Sequence, residues 1–253
     1  MAGPKLYGKL APWFHLLTAP EDYDEEAALY SRALIDACDE PPKTVLELGS
    51  GGGNNASHMK TRFELTLVDL SPRMLALSRT LNPECEHRRG DMRTVRLGRQ
   101  FDAVFVHDAV AYITTEDDLR ATMETAFVHC RTGGAALFVP DCVRETFRPA
   151  TEHGGHDSAP SPGRVPVRGR ALRYVSWVHD PDPDDTTYTV DFAYLLRDAD
   201  GSVRVERDRH VCGVFPRATW RRLLRDAGFT AKRLALPHSE VGTIDVLVGK
   251  KKA

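Results

Sequence analysis

A glycine-rich turn follows the first strongly apolar run of the chain and limits what the chain can fold into. Residues 45–48 have the pattern of a buried strand. They lead into a turn that contains Gly49, Gly51 and Gly53, and a helix is predicted to begin at about Asn55. Glycine tolerates positive φ and lets a ligand approach the backbone, and the helix that follows offers unpaired N–H groups. The sequence therefore predicts a strand, a ligand-binding turn and a helix.

Two common phosphate-binding patterns do not fit this turn. A dinucleotide fingerprint needs a glycine where this chain has Asn54, and the Gly-Lys-Ser/Thr ending of a P-loop is absent. Glu47 supplies a carboxylate at the end of the strand, which suits a cationic ligand better than a pyrophosphate. Glu47 followed by glycines at 49, 51 and 53 resembles motif I of the class I S-adenosylmethionine (SAM)-dependent methyltransferases. SAM carries an amino group and a sulfonium but no phosphate, so the resemblance implies SAM as the cofactor.

Three later signals come in the order that the same family shows. A second apolar run ends at Asp69, whose carboxylate can accept both ribose hydroxyls of an adenosine. The turn at Asp91 and Met92 resembles the family's adenine-binding turn, with the carboxylate toward the exocyclic amine and the thioether against the ring. A buried strand then ends near His107, where the family contacts the methionine part of SAM. The resemblance covers about residues 44–140.

The resemblance implies one set of cofactor-binding residues. The set is Glu47, Gly49, Ser50, Gly51, Gly53, Asn55, Asp69, Leu70, Met74, Asp91, Met92, His107, Asp108 and Tyr112.

Strands and helices alternate over residues 44–140, which predicts an α/β fold with a parallel sheet and right-handed crossovers. The family implies a Rossmann-like sheet of seven strands, helices on both faces and an antiparallel last strand. A Gly133-Gly134 turn is predicted before the fifth strand, and residues 151–163 have the composition of a loop. Three alternating runs, at 172–179, 188–196 and 203–211, predict an inserted antiparallel sheet that serves as a lid.

We therefore expect a single methyltransferase domain over residues 1–253. Its expected parts are N-terminal lid helices at 1–40, a SAM-binding core at 41–140, a loop with the antiparallel insertion at 141–213, and a closing helix and strands at 214–253.

Residues 90–104, with a smaller contribution from residues 145–147, look like the methyltransferases that dimethylate the amino group of deoxyaminosugar nucleotides. The resemblance implies methyl transfer to nitrogen or oxygen of a small molecule. We predict that the acceptor is contacted by Tyr7, Trp13, Asp141, Tyr188 and Tyr194. Plain packing of the N-terminal aromatic residues and a half-exposed strand face remain alternatives.

Histidines supply the candidate catalytic bases. His153 and His156 lie with Asp157 in the predicted loop, and His107 lies with Asp108 beside the expected SAM site. The two loop histidines and Asp157 could also hold a metal, but no metal is predicted. A solvated connection is the alternative for the loop.

Composition limits the remaining classes of function. There are 34 Lys and Arg residues against 36 Asp and Glu, a net charge of −2, which argues against a nucleic-acid or membrane partner. The five cysteines are widely spaced, and neither a signal peptide nor a long apolar span is present, so we expect a cytoplasmic protein. We also expect a homodimer through the antiparallel insertion. A SAM-binding regulator, a protein that uses SAM for other chemistry, and a nucleotide-linked oxidoreductase are the rival functions.

Overall fold

The computed structural model, which describes residues 3–158, 169–240 and 242–252, contains a mixed sheet of seven strands. The strands are β1 (Thr44–Leu48), β2 (Glu64–Asp69), β3 (Glu86–Arg89), β4 (Phe101–His107), β5 (Cys130–Val139), β10 (Thr230–His238) and β11 (Gly242–Lys250). Their order is β10-β11-β5-β4-β1-β2-β3. β11 pairs antiparallel with both β5 and β10, and the other pairs are parallel. The predicted α/β fold with its antiparallel last strand is confirmed.

Helices cover both faces of this sheet. They are α2 (Asp24–Ala37), α3 (Asn54–Met59), α4 (Pro72–Leu81), α5 (Glu116–His129) and α6 (Arg217–Asp226), whereas the short α1 (Phe14–Leu17) belongs to the N-terminal segment. Helices α5 and α6 share one apolar core with the sheet, while α2 and α3 share another on the opposite face. Strand β1 contributes to both, with Leu46 and Leu48 in the first core and Val45 in the second. Burial on both faces explains why its sequence is a continuous apolar run.

A separate antiparallel sheet of four strands covers the carboxyl edge of the first. It is formed by β6 (Ala150–Gly154), β7 (Ala171–His179), β8 (Thr187–Arg197) and β9 (Val203–Gly213), in that order. The N-terminal segment packs against its inner face through Leu10 and Trp13.

Two details differ from the sequence predictions. Residues 150–154 form β6 where the sequence predicts a loop. The strand is stabilised by pairing with β7, which an exposed and polar stretch of sequence does not reveal. Residues 159–163 of that loop lie outside the described part of the chain. Gly133 and Gly134 lie inside β5 rather than in a turn, at an irregularity in its pairing with β4. A Cβ on Gly134 would lie 2.3 Å from the Asp102 carbonyl oxygen, so close backbone approach explains this glycine.

Candidate active site

A cavity of about 1170 Å³ opens at the carboxyl ends of β1, β2 and β4 and is slightly larger than the usual range for small-molecule sites. The sheet forms its floor, and the N-terminal segment and the inner face of the antiparallel sheet form its walls. Of the predicted site residues, the cavity is lined by Tyr7, Glu47, Gly49, Ser50, Gly51, Asn55, Asp69, Leu70, Asp91, Met92, His107, Asp108, Tyr112, Asp141 and Tyr188. The fold thus brings together predicted site residues that are as much as 181 positions apart in the chain, from Tyr7 to Tyr188.

The glycine turn adopts the conformations that only glycine takes readily. Gly49, Gly51 and Gly53 have φ of 78°, 53° and 82°. A Cβ on Gly49 would lie 2.4 Å from the Ala109 Cβ, whereas one on Gly51 would meet only ordinary contacts at 3.9 Å. Gly49 is therefore required for packing beneath the turn, and Gly51 keeps the cavity side open.

Asp69 joins this turn to the next helix. Its two carboxylate oxygens accept hydrogen bonds from the backbone N–H groups of Gly51, at 2.9 Å, and Ser71, at 2.7 Å. Burial raises the pKa of Asp69, although these two N–H groups work in the opposite direction. The carboxylate is therefore held in a fixed orientation at the cavity wall, with acceptor capacity left for hydroxyl groups.

Asp91 and Met92 reach the same side of the cavity from the turn after β3. The Arg93 guanidinium and backbone N–H bind the Asp91 carboxylate, which holds the pKa of Asp91 below its usual range. Asp91 is therefore an oriented anion, available to accept from an exocyclic amine.

Glu47 is a buried carboxyl group whose Oε2 has no hydrogen-bond partner among the described residues. Burial raises its pKa to about 8, with His107 opposing this and Asp69 and Asp108 adding to it. An unpartnered buried carboxyl at a cavity wall is a site for a cationic or hydrogen-bond-donating ligand.

His107 lies at the end of β4 between carboxylates. Its Nε2 is 2.9 Å from Asp108 Oδ1 and 3.8 Å from Glu26 Oε1, and Asn55 Nδ2 lies 3.0 Å from Nδ1. Burial lowers the pKa of His107, but the neighbouring carboxylates, Asp108 first, outweigh burial and raise it to about 9. Asn55 Nδ2 also donates to Glu26 Oε1, at 3.0 Å, so this amide links the His107 ring to the Glu26 carboxylate.

Asp108 and Asp141 form an acidic pair just after the ends of β4 and β5, and we call this part of the cavity, where the acceptor is expected, the acceptor end. Asp108 has φ of 35°, the one positive value for a non-glycine residue in the described ranges, and such strain is commonly found at functional sites. The two carboxyl groups are hydrogen-bonded, and Tyr188 donates to Asp141 Oδ2 at 3.3 Å. Burial and the Asp108 charge raise the pKa of Asp141, whereas His107 outweighs burial and lowers that of Asp108. The pair can therefore hold one proton between its two members.

Four predicted ligand contacts lie behind the cavity wall. Trp13 and Tyr194 are buried in the core between the N-terminal segment and the antiparallel sheet. Gly53 is the N-cap residue that precedes α3, and Met74 packs under the glycine turn. None of these four lines the cavity. Binding or catalytic roles for them stay predictions that the geometry does not favour.

His153 and His156 also lie outside the cavity lining. Strand β6 alternates its side chains, so Glu152 faces the cavity and His153 the other side. His156 pairs with Asp22 at 3.0 Å between Nε2 and Oδ2, and its backbone N–H donates to Leu16. The geometry gives His156 a role in holding the N-terminal segment on the sheet.

Several cavity residues were missed by the sequence analysis. They are aromatic or ionisable side chains from the N-terminal helices and the insertion: Phe14, Tyr23, Glu26, Tyr30, Phe147, Phe192 and His210. Alternation along β9 was the available signal for His210, because it falls on the same face as Asp208 and Cys212.

The cavity residues fit SAM. The unpartnered oxygens of Glu47, Ser50 and Asn54 are the buried polar atoms that a ligand with amino, carboxylate and hydroxyl groups would satisfy. Asp69 would hold the ribose and Glu47 the cationic end.

Comparison with known proteins agrees with this geometry. A family described as a methyltransferase domain matches residues 45–134. The chain is 27% identical to a dTDP-3-amino-3,6-dideoxy-alpha-D-glucopyranose N,N-dimethyltransferase of Streptomyces fradiae, over 99% of this chain and 96% of the relative. It is 28% identical to a dTDP-3-amino-3,4,6-trideoxy-alpha-D-glucopyranose N,N-dimethyltransferase of Streptomyces venezuelae, over 88% and 87%.

Solved structures show the same fold. The crystal structure of DesVI from Streptomyces venezuelae aligns with a TM-score of 0.78 at 24% identity, over 98% of both chains. SAM-bound CalS10, an amino pentose methyltransferase from Micromonospora echinaspora involved in calicheamicin biosynthesis, aligns with a TM-score of 0.73 at 25% identity, over 91% of this chain and 92% of that one.

The chain is a SAM-dependent methyltransferase whose matched methyltransferase domain spans residues 45–134 and whose fold is that of the class I enzymes. Within that class, it is similar to enzymes named for the N-methylation of amino sugars. In the described residues, no helix is long and apolar enough to span a membrane.

Proposed function

We propose that this methyltransferase transfers the methyl group of SAM to the amino nitrogen of a nucleotide-linked deoxyaminosugar. The two curated relatives are named for such substrates. The observation that carries the proposal is the acidic pair Asp108–Asp141 at the cavity wall, because an amino group arrives as a cation and a hydroxyl group does not.

The acidic pair also supplies the proton chemistry that an amine needs. Bound SAM provides a methyl group on a sulfonium that leaves as a neutral thioether. The acceptor nitrogen must first lose its ammonium proton so that its lone pair can attack. Asp141, whose pKa is raised, can hold that proton, while His107 keeps Asp108 anionic. The rings of Phe147 and Tyr188 enclose this end of the cavity and exclude water.

The test uses labelled SAM and three acceptors, with the products identified by mass. They are dTDP-3-amino-3,6-dideoxy-α-D-glucopyranose, the same sugar with a hydroxyl in place of the amino group, and a simple phenol. We expect a gain of one or two methyl groups on the amino sugar alone. Methylation of the hydroxyl sugar or the phenol, with none on the amine, would contradict the proposal.

We also propose a homodimer through the outer face of the antiparallel sheet. This outer patch exposes apolar side chains that a monomer rarely leaves in water as a group: Val175, Trp177, Leu195, Val203 and Val205. Trp177 is 64% and Val205 63% exposed, and the face turned to the cavity is buried. Sedimentation equilibrium should show a dimer that Trp177→Lys converts to a folded monomer. A wild-type monomer at all concentrations would contradict this proposal.

A cytoplasmic location is proposed on one further observation. All five cysteines are unpaired thiols, as expected in a reducing compartment. Fractionation of the producing cell tests the location, and recovery outside the cytoplasm would contradict it.

A further inference from the structure

A buried histidine–aspartate pair lies in the wall of the acceptor end of the cavity, with the histidine on the cavity side. His210 is 3% and Asp208 is 8% exposed, and both come from β9. His210 Nε2 lies 3.2 Å from Asp208 Oδ2. The methyl transfer proposed above uses neither residue. Ionisable side chains are seldom buried, and those buried at a cavity are often functional.

Two tyrosine hydroxyls connect this pair to the cavity. Tyr112 Oη is 2.8 Å from His210 Nδ1, and Tyr7 Oη is 2.7 Å from Tyr112 Oη. Tyr7 and Tyr112 line the cavity, as does the ring of His210. The result is a continuous chain of hydrogen bonds from the cavity to a buried carboxylate.

The hydrogen bonds from Tyr7 to Asp208 have one consistent donor–acceptor direction when the His210 ring is neutral. Asp208 accepts backbone N–H groups from Leu6, at 2.9 Å, and from Arg209, at 3.1 Å. Burial works to raise the pKa of Asp208, but His210 and the backbone N–H groups of Lys5 and Leu6 outweigh it and lower the pKa. An ionised carboxylate only accepts, so His210 Nε2 must carry the hydrogen and Nδ1 of the neutral ring must accept.

That tautomer fixes both hydroxyl groups. Because His210 Nδ1 accepts, Tyr112 donates to it, and Tyr7 must then donate to Tyr112. The oxygen of Tyr7 is left with lone pairs at the cavity end of the chain. Burial raises the pKa of both Tyr7 and Tyr112, so each stays protonated and passes a proton on without holding a charge.

We propose that Tyr7, Tyr112, His210 and Asp208 form a proton relay that removes the proton of the newly methylated nitrogen. This inference rests on the proposed amine acceptor. After the N–C bond has formed, one N–H proton of the product ammonium moves to Tyr7 Oη. The Tyr7 proton moves to Tyr112 Oη, and the Tyr112 proton to His210 Nδ1. The product loses one positive charge, and His210 gains one beside the Asp208 carboxylate.

The relay also restricts the acceptor. An atom that bears hydrogen can donate to the Tyr7 oxygen, whereas an atom without hydrogen leaves that oxygen unpaired. Asp208 and His210 are positioning residues in this scheme, since they act on the substrate through the tyrosines.

The decisive variant is His210→Asn, which keeps a side-chain oxygen near the position of Nδ1 but cannot take up a proton. We expect kcat to fall on the order of 10²-fold, with SAM affinity unchanged by calorimetry. Tyr7→Phe keeps the ring, breaks the chain at its cavity end, and should lower kcat similarly. His179→Asn is the matched control, since His179 pairs with Asp191 at 3.1 Å on the same sheet, outside the cavity lining.

The pH profile separates a relay from a structural role. The titratable groups facing His210 are Asp208 and Cys212 on its own strand, Tyr7 and Tyr112 across the cavity wall, and Tyr194 beside Asp208 on β8. All of these remain in the variant, so a change of profile belongs to His210. The wild-type kcat should show an acid limb that His210→Asn lacks. A parallel loss at every pH, or a kcat within twofold of wild type, would overturn the relay.

A second readout does not depend on turnover. Nitrogen NMR of the protein without cofactor should show His210 as the Nε2–H tautomer, and Asp208→Asn should weaken that preference. An Nδ1–H tautomer in the wild type would overturn the relay. If no amine is methylated by the wild type, the proposed function fails, while the tautomer result still reports on the hydrogen-bond chain itself.

Discussion

The cofactor end and the acceptor end of the cavity are formed by different kinds of chemical groups. The cofactor end is formed by backbone groups and short side chains that lie close in sequence, as in the bond from Gly51 to Asp69 across 18 positions. The acceptor end is formed by large side chains from distant elements, as in the bonds from Tyr7 to Tyr112 across 105 positions and from Tyr112 to His210 across 98. The first end is fixed by local conformation, and the second depends on how separate elements dock.

The largest effect is expected for Gly51→Val at the cofactor end. Positive φ and a branched side chain in the cavity should cost about 2–5 kcal/mol of SAM affinity, while the fold survives because a Cβ there meets only ordinary contacts. Gly98→Val is the control, because Gly98 also has positive φ, at 70°, with nothing within 4 Å. Calorimetry and thermal melting compare them. Equal SAM affinity in the two variants would show that the turn does not face the cofactor.

A smaller effect is expected for Glu47→Gln, which should raise stability at high pH but lower SAM affinity. Burial raises the pKa of Glu47 from an ordinary 4.5 to about 8, so the folded protein holds a proton that the unfolded chain has already lost. The free energy of unfolding without SAM should therefore fall as pH rises between these values, with the full penalty above pH 8. Glu47→Gln should remove that slope and be more stable than wild type at high pH, yet lose about 1–3 kcal/mol of SAM affinity.

Unfolding with denaturant at several pH values measures the slope. Glu84→Gln, which changes an exposed carboxylate paired with Lys60, is the control and should keep the wild-type slope. If the free energy of unfolding had the same pH dependence in wild type and Glu47→Gln, burial of Glu47 would not raise its pKa, and the explanation would be wrong.

The smallest effect is expected for His153→Ala at the acceptor end. His153 lies on the side of β6 away from the cavity, so turnover should stay within about twofold of wild type. Glu152→Ala, one position earlier and facing the cavity, should change KM for the acceptor more than His153→Ala does. A turnover loss on the order of 10²-fold in His153→Ala would make His153 a candidate base again. It would also contradict the assignment of His153 to the face of β6 that points away from the cavity.

Most residues that the sequence assigns to the cofactor end line the cavity, because their positions are determined locally. A strand that runs into Gly49 and Gly51, and a second that ends at Asp69, place those residues at one sheet edge in any parallel α/β fold. The acceptor end is predicted only in part. Tyr7 is predicted from the family's N-terminal lid and Tyr188 from alternation along its strand. Placing His210 beside them needs the register of β9 against β8, which a single sequence does not define.

The predicted site residues that do not line the cavity have a common physical explanation. Trp13 and Tyr194 were predicted to contact the acceptor because they are aromatic. In the structure they lie in one buried cluster between the N-terminal segment and the antiparallel sheet. Large rings stabilise a core as readily as they line a pocket. His153 was placed in a loop, where orientation is unrestricted, and pairing of β6 with β7 then determined which way it points.

The bond from the Leu6 N–H to Asp208 spans 202 positions, and this has a consequence for how the protein is made. Contacts of such high sequence separation form late, because closing a long loop costs entropy before any contact is gained. During synthesis from the N-terminus, residues 3–10 must wait until β9 has left the ribosome before they can dock. The SAM-binding half can acquire its sheet order earlier, so the nascent chain would be able to recognise its cofactor before it can recognise a substrate.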